Sequence, residues 1–125
     1  MVRRAEQLAA LHRLAKLRMD REIKRFAAFR DHMAMLQSQI GQADEGLDQL
    51  FRRAQPFSVD EAQMANRTAR QLTIMALQAR AEQARLQPGF DEARDRAMRE
   101  FGRSQVLQQL AHAEKAAAAQ RTDRI

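Results

Sequence analysis

The sequence predicts an all-α fold, a long antiparallel helical hairpin of the coiled-coil type. Three observations carry that prediction. Phe26, Phe29, Met33, Leu36, Ile40, Ala43, Leu47 and Leu50 are spaced alternately by three and four residues, an unbroken a/d heptad run. The good helix formers Ala, Leu, Gln, Arg, Glu and Met dominate, while the 125 residues contain only 4 Gly and 2 Pro. No alternating Val/Ile/Thr run reads as a strand. The seam then gives way at once to Pro56 and to Ser58-Val59-Asp60-Glu61, a capping box that starts a new helix.

The first arm is expected over residues 3–53, roughly 75 Å of helix at ~1.5 Å per residue. Gly41 and Gly46 lie inside it and should each weaken it by about 1 kcal/mol relative to Ala. The turn is expected over residues 54–58, because Pro56 stops the first helix. The Ser58 hydroxyl can accept from the Glu61 amide, and Phe57 can staple onto Ala62. The second arm is expected over residues 59–120, with a kink or break at 88–90 where Pro88-Gly89 interrupts the helical pattern. Together these make one helical-hairpin domain spanning residues 1–125.

Folding the chain at residues 55–56 pairs residues whose numbers sum to about 111. Leu50 then faces Glu61/Ala62, Leu47 faces Met64/Ala65, Ile40 faces Leu72, Leu36 faces Met75/Ala76 and Met33 faces Ala79. Phe26 falls near Leu86, and Leu11 near Phe101. Large side chains on one arm mostly meet small ones on the other, which permits close packing. Extending the heptads toward the N-terminus would place Glu22 and His12 in the seam. The apolar residues instead follow Leu8, Leu11, Ala15, Met19, Ile23 and Phe26, about 3.6 residues per step, which is the spacing of a straight helix. Both arms are therefore expected to lose heptad geometry at the height of Pro88-Gly89. Residues after about Gln108 should overhang the first arm.

A rod of this kind is expected to lack a concave pocket and to act along its surface or at its ends. A two-helix seam buries little surface, so stability alone should be modest. There is no cysteine, which excludes disulfides, thiolate metal sites and a cysteine nucleophile. His12, His32 and His112 have no ligand-spaced mates and read as surface or seam histidines. Asp44, Glu45 and Asp48 read as a solvated acidic face. No phosphate loop or nucleophile motif is present, so no catalytic residue, metal or cofactor is expected. No stretch of 18 apolar residues could span a membrane, and Met1-Val2-Arg3-Arg4 is not followed by an apolar signal region. A cytoplasmic protein, peripheral to the inner membrane at most, is the expectation.

The net charge of +6 is unevenly placed. Residues 1–30 carry nine Lys/Arg against three acids, and residues 31–60 carry two against five. The basic run from Arg13 to Arg25 ahead of clean heptads has the order of a bZIP protein. The first arm holds no Asn, however, and Leu14, Leu17 and Ile23 interrupt its basic face, so specific nucleic-acid readout is not expected. Non-specific contact with nucleic acid or with an anionic membrane surface, or a basic face that meets an acidic protein, are the remaining readings.

Met98-Arg99-Glu100-Phe101-Gly102-Arg103-Ser104-Gln105-Val106-Leu107-Gln108-Gln109-Leu110 places basic residues ahead of a Gln- and Leu-rich stretch. With the long first helix, mid-chain turn and longer second arm, it resembles the FliJ-type proteins of bacterial flagellar export and the YscO-type proteins of type III secretion. The resemblance implies a coiled-coil stalk or adaptor for the hexameric export ATPase, with further contacts to the membrane export gate and to secretion chaperones. By that resemblance the stalk end holds Arg3, Arg4, Leu8, Leu11, Arg103, Leu107 and Leu110, and the gate- or chaperone-facing part holds Ile40, Leu47, Leu50 and Phe51. The alternative from the residues alone is a generic coiled-coil binding module, such as a secretion chaperone or scaffold, or a basic nucleic-acid-associated helical protein.

Overall fold

A computed structural model describes residues 2–53 and 58–123. Two helices, α1 (Val2–Arg52) and α2 (Val59–Asp123), account for nearly all of them. They pack against each other as an antiparallel hairpin, with no strand among the described residues. Of the expected turn, Ala54, Gln55, Pro56 and Phe57 lie outside the described residues, and the Phe57 staple with them. The capping box is visible at its helical side: the Glu61 amide donates to Ser58 Oγ at 3.2 Å and the Ala62 amide to the Ser58 carbonyl at 2.9 Å. The first bond satisfies one of the amide donors left open at a helix start, and the second is the first regular bond of the helix.

α2 does not break at Pro88-Gly89. The helix is continuous from Val59 to Asp123 with Pro88 inside it and exposed. A proline in a helix interior forfeits one hydrogen bond and crowds the carbonyl four residues back, at about 3 kcal/mol. Sixty-five residues of helix packed along a partner outweigh that single defect.

The chain forms two compact units, each built from both helices: Phe29–Gly89, and Met1–Ala28 with Phe90–Ile125. In the first, Leu36 and Ile40 pack against Ala79 with Leu86 alongside, and Ala43 and Ala76 are buried. Here the heptad seam from Phe29 to Leu50 is buried or half-buried throughout, as the spacing predicts. Asp44 and Gln37 flank it: Arg80 Nη2 donates to Asp44 Oδ2 at 3.1 Å, and Gln83 Nε2 to Gln37 Oε1 at 3.1 Å. Glu82 pairs with Arg85 on α2, and the hydrogen bond from that guanidinium holds its carboxyl below the usual range.

The pairing register differs from the expected one. Facing residues include Phe29 with Gly89, Gly46 with Leu72 and Ile40 with Ala79, whose numbers sum to 118 or 119 rather than 111. The shift is about seven residues, one heptad. A heptad seam presents the same face after each shift of seven, so the apolar pattern alone leaves this choice open. Two close approaches fix it. A Cβ on Gly46 would meet Leu72 Cδ1 at 2.8 Å, and one on Gly89 would meet the Phe29 ring at 3.0 Å. Each glycine is the hole into which a large residue of the other arm fits, which explains a helix-interior glycine despite its propensity cost. Because of the shift, residues 59–64 project past the seam and are all exposed.

In the second unit the expected straight-helix spacing is not what packs. Glu22 and His12 are half-buried, whereas Leu11 is 50% and Ile23 41% exposed. Among the covered positions on α1, Ala5, Leu8, His12, Ala15, Met19, Glu22 and Phe26 continue the three–four alternation, with Ala9 and Ala27 covered beside them. Those on α2 match them: Phe90, Ala93, Ala97, Glu100, Ser104, Leu107, Ala111 and Glu114. Small Ala93, Ala97 and Ser104 set a close interhelical distance, and the heptad face follows them even where it must take a polar residue. Glu22 is a cost of this arrangement, because its Oε2 is buried without a hydrogen-bond partner among the described residues. Phe26 and Phe90 stack across the unit with centroids 5.2 Å apart at 47°. Pairing extends beyond Gln108, since Ala5 and Ala9 line one groove with Ala111, His112 and Lys115.

Candidate partner-binding groove

The second unit has a concave surface, contrary to the expectation for a plain rod. A groove of about 540 Å³ runs along one flank beside the seam. On α1 it is lined by Leu11, Leu14 and Arg18, at helix spacings that put them on one stripe. On α2 it is lined by Arg103, Val106 and Leu107. The groove exists because the seam takes the heptad positions and leaves Leu11, Leu14 and Val106 outside it. Leu14 is 46% and Val106 54% exposed.

Next to it, sharing Glu100 and Arg103, lies a polar cleft lined also by Glu22, Arg96 and Arg99. Arg103 Nη1 donates to Glu100 Oε1 at 3.0 Å, and Arg96 Nη2 to Glu92 Oε1 at 2.5 Å. Glu22 Oε2 and Glu100 Oε2 are buried without a hydrogen-bond partner among the described residues. The two carboxylates are covered by the arms that the seam draws together.

Charge separates along the chain. The unit that contains the groove carries fifteen Lys/Arg against nine Asp/Glu, and the other carries seven of each. The acidic stretch of α1 is thus balanced in its own unit by Arg67, Arg70, Arg80 and Arg85 of α2. The whole net charge of +6 stays in the groove unit. None of the eight Lys/Arg between Arg3 and Arg25 takes part in an ion pair among the described residues.

Of the stalk-end candidates, the structure brings Leu11, Arg103 and Leu107 together in the groove. Arg3 and Arg4 are exposed in the first turns of α1, Leu8 is a seam residue, and Leu110 is half exposed; none of these lines the groove. The sequence reading passed over Leu14, Arg18 and Val106. Leu14 looked like an interruption of a basic face, and only the partner helix shows that it is half of a trough. At the turn end, Ile40 belongs to the core, 5% exposed, and Leu47 and Leu50 are half-buried in the seam, so packing already uses Ile40. Phe51 alone of that set stands free, at 81% exposure.

Among the described residues no group of three or more His, Asp or Glu is placed to hold a metal ion, and no helix is long and apolar enough to cross a membrane. No family model, curated protein or solved structure matches the chain.

Proposed function

We propose that the chain is a non-enzymatic coiled-coil stalk or adaptor of a flagellar or type III protein-export ATPase, which promotes assembly of the ATPase ring and export. The observation that carries this reading is the concentration of all the net charge in the unit that holds the start of α1 and the end of α2. Such an end is steered toward an acidic channel over about a Debye length, and the steering weakens with salt. Apolar Leu11 and Leu107 beside it would hold the complex once formed. Exposed Phe51, in the last turn of α1, is the contact offered to a membrane export gate or a secretion chaperone. The protein works in the cytoplasm, at most peripheral to the inner membrane. A generic coiled-coil binding module is the second reading, and the flank groove favours it, because a groove takes a partner alongside rather than end-on.

Charge reversal at Arg3, Arg4 and Arg103 is expected to abolish most stimulation of the export ATPase while circular dichroism shows unchanged helicity. The chain alone should hydrolyse no nucleotide. A folded hairpin that neither stimulates the ATPase nor co-purifies with it at low salt would eliminate the stalk reading and leave the binding module.

A further inference from the structure

We propose that the groove between Leu11/Leu14 of α1 and Val106/Leu107 of α2 is the docking site for an acidic amphipathic helix of a partner protein, which completes a three-helix bundle on that flank. This goes beyond the export reading and does not depend on it, because the occupant is defined by its chemistry.

The shape argues for a helix. Leu11, Leu14 and Arg18 run along α1 at i, i+3 and i+7, and Arg103, Val106 and Leu107 along α2 at i, i+3 and i+4. The trough is therefore parallel to both helices. A third helix lying in it presents side chains at i, i+3, i+4 and i+7, the anchors of helix-in-groove recognition. Large apolar side chains left half exposed on both walls are the surface such anchors cover.

The charge selects the partner's chemistry. Arg18 and Arg103 stand on the walls, and Arg99 lies in the adjoining cleft. Arg18 and Arg99 form no ion pair among the described residues. A helix whose apolar stripe is flanked by Glu or Asp would meet these guanidiniums with planar, bidentate geometry. A second copy of this chain would bring two units of net +6 together, which is repulsive. Nucleic acid would meet the arginines but leave the leucine walls unfilled.

The test uses the full chain and a synthetic peptide of about 20 residues, roughly 30 Å of helix, with Leu on one face and Glu on its flanks. A sister peptide carries Lys in place of Glu. Fluorescence anisotropy should show binding of the Glu peptide and not of the Lys peptide. Leu14→Gln and Val106→Gln should each weaken it about tenfold, and Leu17→Gln, outside the groove, by less than about twofold. All three residues are exposed, so the variants should retain native helicity. Equal binding of the Lys peptide, equal loss in Leu17→Gln, no binding of the Glu peptide, or binding only to phosphatidylserine vesicles or duplex DNA would each overturn the proposal.

Discussion

Leu36→Ala is expected to destabilise the hairpin by about 2–3 kcal/mol, the low end of the range for a buried leucine. Leu36 is 5% exposed and belongs to the cluster with Ile40, Ala79 and Leu86. The low end applies because no large side chain among the described residues is fully buried. A seam between two helices surrounds each residue on fewer sides than a globular core does, so a cavity there can partly collapse. Leu17→Ala removes the same atoms from a position 67% exposed and should fall within about 0.5 kcal/mol of the parent. Urea melts of the two variants check this. Equal effects would mean that α1 turns a different face to α2.

Pro88→Ala is expected to act in the opposite direction, raising stability by about 2–3 kcal/mol. Alanine restores the missing amide donor and removes the clash with the carbonyl of Ala84, which together are worth about 3 kcal/mol. Part of that gain is lost, because proline also restricts the unfolded chain, by about 0.4–1 kcal/mol. Pro88 is exposed, so its ring contributes no core packing that the substitution would remove. The neighbouring Gly89 must remain, since a Cβ there would press on the Phe29 ring. A Pro88→Ala variant no more stable than the parent in urea would show that the helix does not run through residues 84–92 in solution.

The fold class, the two arms and the seam of Phe29 to Leu50 were legible in the sequence because large apolar residues mark a heptad face unambiguously there. Between Ala5 and Phe26 the large residues misled. Leu11 and Ile23 looked like core, but small residues decide how closely two helices approach. Those small residues were visible on α2, where Ala65, Ala69, Ala76, Ala79, Ala93 and Ala97 keep heptad phase straight through Pro88-Gly89. Reading alanine rather than leucine as the seam marker would have carried the heptads past Glu22 and His12 and left Leu11 and Leu14 for the groove. The register was not legible, because a seven-fold repeat on both arms admits several alignments, and the Gly46–Leu72 and Gly89–Phe29 fits appear only when the helices are paired.

The register is the claim on which the groove rests. A slip of one heptad along α2 would carry Val106 and Leu107 roughly 10 Å from Leu11 and Leu14. The chain has no cysteine, so disulfide trapping can read the register without interference. A disulfide requires Cα atoms about 4.4–6.8 Å apart. Ile40→Cys with Ala79→Cys should close rapidly within one molecule under mild oxidation and leave helicity unchanged. Ile40→Cys with Leu72→Cys, the pair set by the alignment one heptad away, should remain reduced or cross-link only between molecules. Rapid closure of the second pair with none in the first would contradict the register, and the groove with it.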